Sequence, residues 1–212
     1  MSLEARVAAL ESALNVSIWA AHQAAAEAAE SAASNAEALD VVWLLLSGTI
    51  IFLMQFGFCM LEAGSVTSKN TEIIMIKNLG DIAFNSLMWW GVGYSFAFGE
   101  GNAFIGYAST GSYFINSFSS SHDWATFFFQ LNFVATASTI VSGAVAERAH
   151  ILSYLIFSTL CAIVLYPPVA HWQWSSTGWA SPTHRDGIGL LGGLIDFAGC
   201  GAYVSRTLHR SH

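Results

Sequence analysis

Apolar and polar positions in this chain fall into long blocks. Residues 41–61, 82–99, 124–146 and 149–184 contain no Asp, Glu, Lys or Arg. A helix that crosses a bilayer needs about 20 mainly apolar residues. The first and third blocks each predict one span, and the second predicts another when extended back through Leu79. The fourth predicts a span over 150–168, ended by Pro167-Pro168 because proline cannot continue the backbone ladder, followed by an uncharged loop. Residues 187–199 begin like a fifth span and stop. The predicted fold class is all-α, a polytopic membrane helical bundle of about four complete spans plus the start of a fifth.

Residues 1–39 differ from the rest, being rich in Ala and Glu. Leu3, Val7, Leu10 and Leu14 recur at spacings of 4, 3 and 4, a heptad-like stripe of under two heptads. They predict an amphipathic helix or tail outside the bilayer. The segment does not read as a signal peptide, because it lacks a basic start and Glu4, Arg6 and Glu11 break its apolar stretch. Asn15-Val16-Ser17 is a glycosylation sequon, relevant only on a luminal or extracellular face. The organisation expected is therefore 1–39 as extramembrane helix or tail, 40–199 as membrane domain and 200–212 as a tail.

Composition narrows the function. The chain is 54% hydrophobic and 10% charged, against about 25% charged in a soluble domain. That argues against a water-facing enzyme. Seven Lys and Arg are scattered, and the net charge is -7, so the basic patch that nucleic acid requires is missing. Lys69 and Lys77 fall between the first two predicted spans and Arg148 between the third and fourth. The loop from Glu100 to Asp123 has neither Lys nor Arg. The positive-inside rule then places those three cations in the cytoplasm and the N-terminus outside, with Arg185 an exception in an outer loop. Cys59, Cys161 and Cys200 form no C-x-x-C pair and predict neither a disulfide framework nor a zinc site. No nucleophile elbow, metal quartet or phosphate loop appears, so no enzyme activity and no cofactor are expected.

Polar residues inside apolar blocks are costly in hydrocarbon and therefore informative. They are Gln55, Glu62 at the close of the first span, Asp81 at the entry to the second, and Gln130, Asn132, Thr136, Ser138 and Thr139 in the third. Interhelical hydrogen bonding is one reading, and a polar pathway is the other. The segment His171-Trp172-Gln173-Trp174 could recruit a cation on a tryptophan face, or belong to an interfacial aromatic belt. Asp196 follows the apolar run Ile188 to Ile195. It could cap a helix N-terminus or attract a cation at a pore mouth.

Together these stretches resemble the N-terminal part of the ammonium transporter family (Amt/Mep/Rh), closer to its Amt branch. The matching stretches are Trp43 to Gly48, Phe52 to Phe58, Met60 to Val66 with Lys69-Asn70, Gly93 to Gly99, and Val141 to Arg148. Tyr166-Pro167 with His171 to Trp174, and Asp196-Phe197-Ala198-Gly199, complete the set over roughly residues 40–199. The resemblance implies a trimer with a narrow hydrophobic pore in each subunit, about eleven spans, and ammonium recruited at an outer vestibule of a plasma-membrane protein. It implies that Trp174 stacks on the cation, that Phe133 is one of two gating phenylalanines, and that Asp196 supports the recruitment site from behind.

The same resemblance marks a departure. The family's pore histidine lies eight residues after the aspartate, and Val204 stands there. Residues 200–212 fit neither the family nor a span, and His209 and His212 are out of register. The expectation is a chain cut short after Asp-Phe-Ala-Gly by a frame shift or incomplete gene model, inactive alone. The alternative is a non-transporting regulatory or dominant-negative subunit that associates with full-length relatives.

Overall fold

The computed structural model describes residues 3–108, 113–116, 118, 120–182, 184, 189, 192–197, 199 and 201. Arg185, Cys200, Val204, His209 and His212 lie outside the described residues. The chain divides into two compact units, Met1–Trp43 and Leu44–His212. In the first, the predicted amphipathic segment is helical from Leu3 onward, and the helix is the beginning of α1, Leu3–Ser65. Its leucines are bare: Leu3 is 77% exposed, Leu10 70% and Leu14 59%.

In the second unit, α1 from Leu44 on carries the first apolar block. A short 3-10 turn, Ser68–Asn70, leads into α2, Thr71–Met88. A π-turn, Trp89–Gly93, joins α2 to α3, Tyr94–Phe98, so helical backbone runs without a break from Thr71. Two short antiparallel strands follow, β1 at Glu100–Gly101 and β2 at Gly106–Ala108. Then come α4, Ser121–Val145, and α5, Ile151–Leu160, with a π-turn at Cys161–Leu165 leading to α6, Tyr166–Trp174. Local chemistry sets the starts. Ser120 accepts the Asp123 N–H and the Asp123 carboxylate accepts the Ser120 N–H, a capping box that opens α4. His150 Nδ1 accepts the Leu152 N–H at the start of α5.

Among the described residues three helical stretches are long and apolar enough to span a membrane: Leu10–Ser65, Ser121–Val145 and Ile151–Trp174. The second predicted span lies in the run from Thr71 to Phe98. That run is long enough for a ~30 Å core, but it also holds Glu72, Lys77 and Asp81.

Two expectations are corrected. Pro167-Pro168 does not end the fourth span. The Cys161–Leu165 π-turn lets the Tyr166 N–H reach back to the Cys161 carbonyl. The prolines then occupy the first turn of α6, where no N–H partner is needed. Lys77 is not in a loop: it lies inside α2 and is buried. Among the described residues of 187–199, Gly192 and Gly193 take φ of +96° and +79°, left-handed values that interrupt regular helical backbone at that point.

The packing of this unit is inside-out. The buried residues of α2 are Ile74, Lys77, Asn78, Asp81 and Asn85, spaced 3, 1, 3 and 4 apart on one helical face. Apart from Glu72 in its first turn, its exposed positions are apolar: Ile73, Ile76, Leu79 and Leu87 are each more than half exposed. Helix α4 buries Asn132, Thr136, Ser138, Thr139 and Ser142 in the same manner. Polar inside and apolar outside is the arrangement hydrocarbon demands. An apolar cluster of Trp89, Val134, Ala162, Tyr166 and Ala170 lies beside the polar stripe.

Candidate functional site

Helices α4 and α6 bring two of the predicted site residues into contact. Phe133 and Trp174 meet edge-on with ring centroids 5.8 Å apart, and Phe129 packs edge-on against Phe133 at 5.0 Å. The Trp174 ring is held from two further sides. Tyr166, buried in the apolar cluster, lies 6.5 Å from it. Its indole N–H donates to the Asp196 main-chain carbonyl at 3.2 Å. The Asp196 carboxylate is turned elsewhere and accepts the Gly201 N–H at 3.0 Å. Asp196 thus reaches Trp174 through its backbone, while its side chain orders the turn that follows. All three predicted residues, Trp174, Phe133 and Asp196, come together.

The rest of the His171–Trp174 segment is absorbed by the scaffold. His171 is fully buried, and its ring nitrogens face the Ala97 and Asn102 carbonyls at 2.8 and 2.9 Å. The Trp172 indole N–H donates to the Phe104 carbonyl at 2.7 Å. These contacts tie α6 to α3 and to the loop after it. Phe133 and Trp174 therefore lie near the end of the bundle formed by residues 99–106 and 172–181.

Sequence reasoning found only some members of a second constellation, a buried polar file joining four helices. The Asp81 carboxylate, with no exposed surface, accepts hydrogen bonds from Ser138 at 2.5 Å, Thr139 at 3.0 Å, Asn85 at 3.0 Å and Ser158. Thr139 also reaches Gln55 Oε1 at 2.9 Å, which brings in α1. One turn along α2, Lys77 pairs with Glu62 at 3.2 Å, touches the Ser142 hydroxyl and lies over the Tyr154 ring, 4.7 Å from its centroid. Asn78 also donates to Glu62 at 3.2 Å. Asp81 therefore lies inside α2 and not at a helix entry, with its carboxylate satisfied by neighbouring side chains. Gln130 keeps a buried carbonyl oxygen without a hydrogen bond. The signal that could have found the file is the 3-1-3-4 spacing in α2.

Opposite the Trp174 end, the loops that hold Lys69 and Arg148 are locked together. Glu147, in a left-handed conformation with φ of +62°, accepts the Thr67 N–H and hydroxyl, both at 2.8 Å, and the Asn70 amide at 2.9 Å. A cavity of about 210 Å³ beside it is lined by Asn70, Lys77, Glu147 and Tyr154, so the polar file reaches this end of the bundle. The Thr67 N–H, with the Asn70 and Thr67 side chains, holds the Glu147 carboxyl below its usual range. A depressed carboxylate stabilises the fold above its unfolded pKa and loses that contribution as pH falls through the folded one. Stability of wild type over Glu147→Gln is expected to shrink below about pH 4.5, the ordinary glutamate value. Thermal melts of both proteins from pH 7 to 3 check this; a difference that grows on acidification would refute it.

These features define a class: a multi-pass membrane helical bundle with an aromatic site at one end and a buried polar file through its core. The family model described as Ammonium Transporter Family matches residues 42–205, and the chain belongs to that family. It is 44% identical over 172 residues to "Ammonium transporter 1 member 3" of Solanum lycopersicum, covering 80% of this chain and 36% of the relative. Among solved structures, "Sensor Amt Protein" superposes with a TM-score of 0.60 at 32% identity, covering 65% of this chain and 34% of that one. Mep2 of Saccharomyces cerevisiae shares the fold, with a TM-score of 0.56 at 23% identity over 66% of this chain and 33% of that one. The chain spans about a third of the length of these relatives.

Proposed function

We propose that this protein takes part in moving ammonium across a membrane, with the cation recruited on the Trp174 face beside Phe133. The observation that carries the reading is the convergence of Phe133, Trp174 and the Asp196 carbonyl at one end of the bundle. The indole N–H is already engaged, which fixes the ring and leaves its face as the recognition element. An aromatic face attracts a small cation by about 0.5–2 kcal/mol. Phe133, packed between Phe129 and Trp174, then stands as a gate that an ion must shed its water to pass. In this reading the Trp174 end and the N-terminus face outward, the loops with Lys69 and Arg148 face the cytoplasm, and the protein works in the plasma membrane as a homotrimer.

Ammonium uptake in cells lacking other ammonium transporters and expressing this protein tests the proposal. Trp174→Ala is expected to raise the ammonium concentration for half-maximal uptake by about 2- to 30-fold. Trp174→Phe, which keeps a weaker aromatic face, falls between. Unchanged uptake at low ammonium in Trp174→Ala would remove the recruitment role.

A further inference from the structure

We infer that the N-terminal helix is a self-association element, which docks in parallel and in register on the same helix of a second copy of this chain. The family match begins at residue 42, so this helix belongs to the chain and not to the matched fold. From Leu3 the 3-4 spacing of the stripe passes through Val7, Leu10 and Leu14, and all four are exposed, Val7 least at 47%. With Val7 and Leu14 as a positions and Leu3 and Leu10 as d positions, the same frame continues onto small residues from Ser17 to Ala38. The helix persists without interruption across this whole stretch. Small seam residues let two helices approach closely, and Asn35 falls on an a position, where a polar residue fixes register.

Charge selects the occupant. In this frame Arg6 is at g and Glu11 at e, five residues apart. That is the spacing at which g of one helix meets e of a parallel, in-register partner. An antiparallel partner would not bring the two together. Copies inserted in one membrane with one topology present their helices in the same direction. A lipid surface fits poorly, because membrane-lying helices carry Lys and Arg on their polar face. Residues 1–40 instead hold six acids and Arg6 alone. The sequon residue Asn15 falls at b, off the seam, so a glycan there leaves the interface open.

Disulfide trapping in the full chain tests this, with Cys59, Cys161 and Cys200 first replaced by Ala. Leu10→Cys and Leu14→Cys are expected to trap covalent dimers under mild oxidation, and Ser12→Cys, at f, is not. In the Leu10→Cys background, Arg6→Glu and Glu11→Arg should each reduce trapping, and the double exchange should restore it. Equal trapping at Leu10, Leu14 and Ser12 would overturn the seam, even if the membrane domains associate. Trapping by Leu10→Cys without rescue by the double charge exchange would overturn the parallel register.

Discussion

Replacing Asp81 with Leu is expected to destabilise the membrane domain by about 2–5 kcal/mol. The carboxylate is the common acceptor of three helices. Ser138 and Thr139 come from α4, Ser158 from α5 and Asn85 from its own α2. Removing it leaves those donors in a dry interior without an acceptor, and each unsatisfied buried group costs about 1–3 kcal/mol. The lower bound reflects measured interhelical hydrogen bonds in bilayers, which average ~0.6 kcal/mol. Surrounding hydroxyls can also turn toward other partners. Thr139 has the Ala135 carbonyl at 2.9 Å and Gln55 Oε1 at the same distance. Asp81→Asn retains one acceptor oxygen and nearly the same volume, so it is expected to cost less than Asp81→Leu. Unfolding of the purified protein in detergent, followed by circular dichroism, measures both. A Leu variant within ~0.5 kcal/mol of wild type, the range of surface substitutions, would show that the file carries no stability.

How much of this was legible in the sequence differs between the two ends of the molecule. At the aromatic end, Trp174, Phe133 and Asp196 were singled out through the family resemblance, and the structure places them side by side, their roles being a proposal. The mode of the Asp196 contact was not readable, since a main-chain carbonyl leaves no mark on the residue pattern. The polar file was read only in part. A charge-counting window treats Lys77 as the end of a span, because an isolated ammonium is expensive in lipid. Glu62, fifteen residues earlier, offsets that expense, and the pairing exists only once α1 and α2 lie side by side. Pro167-Pro168 misled for a related reason. The rule that proline stops a helix assumes a regular ladder, and the π-turn at Cys161–Leu165 supplies the irregularity that accommodates it.

The Glu62–Lys77 pair makes the second large prediction. Its side chains are 4% and 7% exposed, so neither charge is dispersed into solvent. Lys77→Met keeps most of the buried volume and removes the cation. Glu62 would then retain only the Asn78 amide, for its Oε1 has no hydrogen-bond partner. Removing one partner of a buried pair costs about 3–5 kcal/mol, because the remaining charge is stranded. Glu62→Leu strands Lys77 in turn, although the Ser142 hydroxyl and the Tyr154 face soften its loss. The double substitution Glu62→Leu/Lys77→Met is expected to recover most of either single loss, since well-packed apolar residues can replace a buried pair at little cost. A thermodynamic cycle over the four proteins isolates the coupling. Additive single losses would mean that each residue acts through its other neighbours and that the charges do not hold α1 against α2. A double variant as stable as wild type would mean that the pair contributes no net stability, leaving its place beside the Glu147 cavity as the reason a costly arrangement is built there.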